Sequence, residues 1–234
     1  MEAAKQLIKR ERLWGHKSPH LEIARRHRRH WVEEHRFLET LISIAAFSIC
    51  YFVIFPYSIN FANTHAGGSV PDIVLSNIPV YNVVDFFVYG MFALITFIAA
   101  LCVLDPKGSP FILNCLSIFV LIRSVFVSLT HLGPFTTHAV SDFGPTITNA
   151  FFGADFFFSG HTGAPFLMAL IFWDNKTLRY IFLVWSVFFG VIVLLGHLHY
   201  SIDVLSAFFI TYTIYRICIW LFPADYMLFN KYKL

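Results

Sequence analysis

The chain has 234 residues, of which 57% are hydrophobic and only 13% are charged, and its formal net charge is +3. A soluble domain of this length could not bury so much apolar surface, so the composition excludes one. The small positive charge gives no reason to expect a nucleic-acid partner. We therefore expect an integral membrane protein, with the lipid bilayer as its solvent.

Residues 1–36 form a basic amphipathic region ahead of the first apolar run. Ten of the 17 Lys and Arg residues lie there, mixed with five His residues and scattered Leu and Trp. This pattern predicts a collar on the inner leaflet of the membrane, with the histidines on a solvated face. The alternative is an arm that docks specifically on an anionic lipid or a protein.

Apolar runs long enough to cross a bilayer predict an all-α bundle of six transmembrane helices between residues 37 and 222. The first run starts too far from the N-terminus for a cleaved signal peptide. Residues 223–234 are then a short tail, and no second domain is predicted. The runs are 37–57, 84–104, 110–132, 156–173, 180–198 and 201–222.

The basic residues predict the orientation of the bundle. Besides the N-terminal cluster, they fall mainly in short turns and near the C-terminus, whereas the long loops 58–83 and 133–155 contain none. By the positive-inside rule both termini are cytoplasmic and the long loops are extracytoplasmic. The membrane would be a bacterial inner membrane or that of the endoplasmic reticulum, Golgi or cell surface.

Arg123 is the first candidate for chemistry, because a guanidinium inside an apolar run is costly. Thirteen residues separate it from Pro110, which places it about 20 Å along the third helix, in the outer half of the bilayer. We interpret it as a clamp for a phosphate oxygen. The alternative is an anchor that reaches the outer headgroups.

The segment Phe158–Gly163 begins the fourth predicted helix. Ser159 and Thr162 are suited to cap it, and Gly160 allows close backbone approach, so the helix start is a candidate phosphate site. His161 would lie beside that site and give a proton to a leaving oxygen. Alternatively, a neighbouring carbonyl simply satisfies this histidine.

His199 and Asp203 are four residues apart where the fifth predicted helix meets the sixth. On a helix they would share a face, so that the carboxylate holds one imidazole nitrogen and leaves the other nucleophilic. A pair that only neutralises itself is the alternative. His197 would point elsewhere and is not counted as catalytic.

The predicted topology brings Arg123, His161, His199 and Asp203 to one depth near the outer boundary. A cationic clamp, an acid and an oriented imidazole suit phosphoryl transfer. A metal site is not expected, since no Cys or clustered carboxylates complete a ligand set. No cofactor is predicted.

Two stretches resemble the signature motifs of the sphingomyelin synthase family, a branch of the type 2 phosphatidic acid phosphatase (PAP2) superfamily. They are Gly153–Thr162 and His199–Val204, the latter followed by Ala207–Thr211. The resemblance implies a six-helix fold with an extracytoplasmic site. It makes His199 the nucleophile, Asp203 its activator and His161 the acid and base, while Arg123 lies on a helix that looks like the phosphate-contacting one. Asp155 and Tyr200, in the same motifs, are secondary candidates.

Departures from the family patterns favour the synthase-like branch. The Ser-Arg pair of the phosphatase branch is missing, because Ile192 and Val193 occupy those places, and its Lys…Arg-Pro motif is absent. These two absences are what favour that branch; a separate departure is Ala154, which stands where a glycine is expected beside Asp155.

The sequence therefore predicts a membrane enzyme that transfers or hydrolyses the phosphate-linked headgroup of a phospholipid. The donor would be a glycerophospholipid such as phosphatidylcholine or phosphatidylethanolamine, and the acceptor a ceramide, a diacylglycerol-like alcohol or water. The alternatives are a lipid phosphate phosphatase, a non-catalytic lipid-binding or scrambling protein, and a His-ligated haem or metal protein. Homo-oligomerisation is left open.

Overall fold

The computed structural model describes residues 34–139 and 156–232, and within them all regular structure is helical, as predicted. A π-helical turn, Cys50–Ile54, joins the first two helices, and a short 3₁₀ turn covers Leu75–Asn77. The α-helices are α1 (Glu34–Ile49), α2 (Phe55–His65), α3 (Val84–Leu104), α4 (Ser109–Leu129), α5 (Gly160–Ile171), α6 (Lys176–Leu195), α7 (Ser201–Leu221) and α8 (Pro223–Tyr232).

α1, the π turn and α2 form one continuous helical rod. Pro56 has no N–H to donate to the carbonyl four residues earlier, and next to it the N–H of Phe55 bonds to the carbonyl of Cys50 instead. The rod ends only at His65, before Gly67 and Gly68, so it extends beyond the predicted end of the first span at residue 57. The loop that follows is correspondingly shorter than predicted.

Within the described residues, five helical segments are long and apolar enough to cross a membrane, which supports an integral membrane protein. They are Phe37–His65, Val84–Leu104, Ser109–Leu129, Lys176–Leu195 and Ser201–Leu221. Many large apolar side chains on these helices are exposed, among them Val184, Phe209 and Trp220, as a hydrocarbon-facing surface requires. The orientation of the termini remains a prediction.

The fourth predicted span, 156–173, is the main difference. Its helix, α5, has 12 residues, nine of them buried, and it packs against α4, α6 and α7. At about 1.5 Å per residue it measures about 18 Å, which is less than the hydrocarbon core of about 30 Å. α5 is therefore a short, largely buried helix, and the count of six crossings remains a prediction.

The two ends of the bundle differ. At one end, α8 packs on the bundle through the buried ring of Phe229, which lies 5.6 Å from the Phe111 ring and 5.3 Å from the Phe172 ring. The segment predicted as a tail thus forms part of the packed structure. At the other end α2, α4 and α6 finish while α3, α5 and α7 begin, and we call it the site end.

The loops after α2 and α4 bond to each other at the site end. The N–H of Gly67 donates to the carbonyl of His131 at 2.8 Å, and the N–H of Gly133 donates to the carbonyl of Gly68 at 3.3 Å. A Cβ on Gly133 would lie 2.3 Å from the Gly67 oxygen, so only glycine permits this approach. The two loops together cover the connection between α6 and α7.

Candidate active site

The connection between α6 and α7, Gly196–Tyr200, carries the second histidine motif; we call it the junction. His199 precedes the helix, Tyr200 is its N-cap, and Asp203 lies in its first turn. Nδ1 of His199 is 3.2 Å from Oδ2 of Asp203, and the N–H of Tyr200 donates to the same oxygen at 3.1 Å. His199 is 2% exposed and Asp203 is fully buried.

The pair therefore forms at a helix start. The four-residue spacing had suggested instead that the two side chains would share one face of a helix. Asp203 reaches back to the N-cap N–H, as acidic side chains do at this position, and the imidazole before the helix meets the same carboxylate. With a proton on Nδ1, His199 donates to Asp203 and Nε2 keeps its lone pair.

The start of α5 is tied to the start of α7. The Ser159 hydroxyl caps α5 by accepting the Thr162 N–H at 3.4 Å and the Thr162 hydroxyl at 3.2 Å. The N–H of Ser159 donates to the backbone carbonyl of Asp203 at 3.1 Å. The two motif segments are thus joined through their backbones.

His161, in the first turn of α5, faces His199. The centroids of the two imidazole rings are 5.9 Å apart. The ring of Phe87 from α3 packs at 4.3 Å from the His161 ring, and Phe189 from α6 lies at 6.2 Å. The two imidazoles are close enough for a single reacting group to contact both.

Arg123 on α4 lies against the start of α5 and is 4% exposed. Its Nε donates to the carbonyl of Phe158 at 3.0 Å, and its guanidinium carbon lies 4.8 Å from the centre of the Phe55 ring. A Cβ on Gly160 would come within 2.7 Å of Nε, so the missing side chain makes room for the guanidinium. The buried cation is thereby held beside a helix N-terminus, where anions bind favourably.

An apolar cavity of about 510 Å³ begins at these residues. Arg123, Gly160 and His161 line one end, and Pro106 and Ser109 line the other. Ser109 and Arg123 are fourteen residues apart on α4, so the cavity extends for about 21 Å along that helix. The rest of its wall is mainly aliphatic and aromatic, including Ile44, Phe47, Leu94, Ile98, Leu116 and Phe119.

The sequence interpretation overlooked Asp72. This carboxylate, on the loop after α2, accepts hydrogen bonds from the N–H and the hydroxyl of Ser201, both at 2.8 Å. A signal was present, because Asp72 is the only charged residue in the predicted loop 58–83. Its contact with the first residue of α7 depends on the tertiary fold.

Also considered from the sequence were Tyr200, His197 and Asp155, and a metal site. The Tyr200 ring is buried, and its hydroxyl donates to the carbonyl of Gly133 at 2.8 Å, so the side chain holds a loop. Nδ1 of His197 lies 3.0 Å from the carbonyl of Thr137, away from the His199 pair. Asp155 lies outside the described residues. Within the described ranges no three His, Cys, Asp or Glu side chains are grouped closely enough to hold a metal ion.

One family model matches the chain, and it covers the region that contains both histidine motifs. The model, described as the PAP2 superfamily C-terminal domain, matches residues 153–220. The match supports membership of the PAP2 superfamily. A domain of this superfamily suggests a phosphatase or phosphotransferase that acts on lipid phosphates. Neither the curated proteins nor the solved structures include a significant match to the chain.

Proposed function

We propose that the protein is a membrane phosphotransferase that moves the phosphate-linked headgroup of a phospholipid to a lipid alcohol, as sphingomyelin and ceramide phosphoethanolamine synthases do. One observation carries the proposal. A carboxylate-held imidazole faces a second imidazole, and this second imidazole and a buried guanidinium line one end of a long apolar cavity.

In the first half-reaction, Nε2 of His199 attacks the phosphorus of the donor lipid. The new P–N bond forms as the P–O bond to the diacylglycerol breaks, and protonated His161 gives its proton to the leaving oxygen. Asp203 stabilises the positive charge that develops on the His199 ring. Arg123 and the start of α5 neutralise the phosphate oxygens.

In the second half-reaction, His161, now neutral, takes the proton of an acceptor hydroxyl. The acceptor oxygen attacks phosphorus, the P–N bond breaks, and its electron pair returns to Nε2 of His199. A ceramide-type alcohol yields a new phospholipid, whereas water yields the free phosphorylated headgroup. Both outcomes use the same residues, so the acceptor alone distinguishes transfer from hydrolysis.

The cavity supports a lipid substrate over a water-soluble phosphate ester. Its volume of about 510 Å³ lies within the range of ligand pockets, about 300–1,000 Å³, and its wall is apolar except near its ends. A hydrocarbon chain would displace water from this wall, while the phosphate remained beside Arg123 and His161.

A lipid phosphate phosphatase is the second candidate function, and the match to the PAP2 superfamily model favours it. Such an enzyme would use the same two half-reactions with water as acceptor and a phosphate monoester as donor. It would release inorganic phosphate and would not respond to added ceramide.

The test is a lipid-product assay on purified protein in liposomes. A headgroup-labelled phosphatidylcholine or phosphatidylethanolamine is supplied with and without ceramide, and phosphatidic acid is assayed in parallel, with His199→Ala as the blank. We expect a labelled sphingolipid that forms only when ceramide is present. Release of inorganic phosphate from phosphatidic acid, indifferent to ceramide, would support the phosphatase. Equal products from the protein and from His199→Ala would contradict both.

A further inference from the structure

We propose that Asp72 is a positioning residue that holds the first turn of α7, and through it the His199 and Asp203 pair, in the arrangement used for attack on phosphorus. The proposal rests on the proposed function, since it deepens the account of the same site. It assigns a task to a residue that would not itself contact the substrate.

Asp72 is a buried carboxylate with four hydrogen bonds. Oδ2 accepts the N–H and the hydroxyl of Ser201, both at 2.8 Å. Oδ1 accepts the N–H groups of Val74 at 2.8 Å and Leu75 at 3.1 Å, which makes Asp72 the cap of its own loop turn. Because the acceptor is charged, each of these bonds is stronger than a neutral one. One side chain therefore fixes both the loop and the first residue of α7.

The Asp72 contact falls midway between the two members of the pair. Ser201 is two residues after His199 and two residues before Asp203. Asp203 fixes the N–H of Tyr200 and Asp72 fixes the N–H of Ser201, so each of the first two N–H groups at this helix start has its own carboxylate. Displacement of Ser201 would therefore alter the 3.2 Å contact between His199 and Asp203.

The same loop holds the junction at two more points. The N–H of Val70 lies 3.3 Å from the Tyr200 hydroxyl, and the N–H of Tyr81 donates to the carbonyl of Leu195 at 2.9 Å. These two contacts lie on either side of the Asp72 contact along the loop. Of the three, the Asp72 contact is the one that involves a charged group. By contrast, the N–H of His199 lies 3.4 Å from the carbonyl of Val193, which is a long hydrogen bond.

Removal of a purely structural anchor would also lower stability, so a loss of stability does not by itself identify a positioning residue. The test therefore also changes Ser201, which is the α7 residue that contacts Asp72. Ser201→Pro removes both donors to Asp72. Proline is favoured at the first position of a helix, and Tyr200 already has the extended backbone, with ψ 155°, that precedes proline readily. Ser201→Ala removes the hydroxyl alone. Asp72→Asn removes the charge, and Asp85→Asn, at an exposed acid on the first turn of α3, is the matched control.

Two readouts are taken on full-length protein in lipid nanodiscs. One is kcat and KM with headgroup-labelled phospholipid in the presence of ceramide. The other is the ¹⁵N spectrum of His-labelled protein, in which the His199 ring signals are assigned by their loss in His199→Gln. These signals report which ring nitrogen carries the proton, and loss of a merely structural contact would leave them unchanged.

We expect Ser201→Pro and Asp72→Asn to lower kcat by about tenfold to a hundredfold with little change in KM, because misplacement of a reacting group acts on the chemical step. Ser201→Ala should have a smaller effect in the same direction. The His199 ring signals should move in the same order, while Asp85→Asn matches the parent protein in both readouts.

Folded Ser201→Pro and Ser201→Ala proteins with parental ring signals would overturn the proposal, even if their stability had fallen. If Asp72→Asn does not fold, the two Ser201 variants decide. If the parent protein shows no turnover that depends on His199, the proposed function fails, and the ring signals alone then decide whether Asp72 positions the pair.

Discussion

Two helix starts meet in the candidate site, and their charges are opposite. The start of α5 has an uncharged cap, Ser159, no acidic residue in its first turn, and the Arg123 guanidinium beside it. The start of α7 has two buried carboxylates, Asp203 and Asp72, on its first N–H groups. Both helix dipoles present positive partial charge here, but only at the start of α7 do carboxylates already neutralise it.

This difference separates the tasks within one small volume. An incoming phosphate is attracted to the start of α5, where positive charge is in excess, and is repelled by the carboxylates at the start of α7. The imidazole beside Asp203 is correspondingly oriented, because one of its ring nitrogens is held by that carboxylate. In the proposed reaction the anion therefore occupies one helix start and the nucleophile belongs to the other. The predictions below break this arrangement in order of decreasing effect.

Removal of the nucleophile should have the largest effect. We expect His199→Ala to reduce turnover of a headgroup-labelled phospholipid by at least about a thousandfold, because no covalent intermediate can form. The matched control is His138→Ala, an exposed histidine at the same end of the bundle, which should retain parental turnover. Trapping of labelled phosphoryl-enzyme after an alkaline quench, in which a P–N bond persists, checks the intermediate. A trapped adduct in His199→Ala would place the nucleophile elsewhere.

Asp203→Asn removes the charge while keeping the shape. The amide oxygen can still accept the N–H groups of Tyr200 and His199, so the fold should persist. We expect a loss of about a hundredfold in kcat, since the imidazole no longer has a counter-charge as it bonds to phosphorus. Steady-state kinetics in liposomes measures this, and turnover near the parental value would mean that the pair is only structural.

These two predictions concern a pair that the sequence could suggest, because four-residue spacing is a local property. The geometry was different from that expected, since Tyr200 adopts an extended N-cap conformation and His199 lies outside the helix. The length of α5 was predicted wrongly for a related reason. The apolar run that predicted the span includes Phe156–Phe158 and also Phe172 and Trp173. The helix itself begins only after the Ser159 cap and ends at Ile171, so the apolar run is longer than the helix.

Contacts between distant segments could not be predicted from the sequence. Asp72 and Ser201 are 129 positions apart, and nothing in either segment specifies the other. Arg123 was identified because a buried cation is conspicuous, yet its contact with Gly160 depends on how α4 and α5 pack. The candidate site residues could thus be chosen from their types, whereas their contacts with distant segments emerged only with the fold.

On the α5 side, Arg123→Lys keeps the positive charge and removes the planar fork. Lysine also has no Nε group to donate to the carbonyl of Phe158, so the start of α5 loses a contact. We expect kcat/KM to fall by about ten- to thirtyfold. Full activity in the lysine variant would identify Arg123 as a simple counter-charge or anchor.

Gly160→Ala tests the same helix start without any change in charge. The added Cβ would lie 2.7 Å from Nε of Arg123, so the guanidinium must move. We expect kcat/KM to fall by about tenfold, in proportion to a small displacement of a phosphate-binding group. The matched control is Gly68→Ala, where an added Cβ meets nothing within 4 Å. If both variants are equally active, the position of Arg123 does not matter for the reaction.

The smallest effect should come from acidification, and it concerns the α7 side. Burial raises the pKa of the Asp72 carboxyl, but the hydrogen bonds from Leu75, Ser201 and Val74 outweigh burial and hold its pKa below the ordinary value of 3.8. A carboxyl whose pKa is lower in the folded state binds fewer protons there than in the unfolded chain. Its contribution to stability is therefore complete above the ordinary value and is lost as the pH falls through the lower, folded-state pKa.

Comparison of the parent protein with Asp72→Asn isolates this contribution. At pH 6 we expect the asparagine variant to be less stable by about 1–3 kcal/mol, the usual cost of losing hydrogen bonds to a charged group. The difference in unfolding temperature between the two should shrink as the pH falls below the ordinary value of 3.8, because the unfolded chain then takes up a proton more readily than the folded protein. Thermal unfolding in nanodiscs across this range measures it. A difference that stays constant with pH would show that the charge of Asp72 adds nothing to its hold on α7, and that the two carboxylates at the start of α7 are not equivalent in strength.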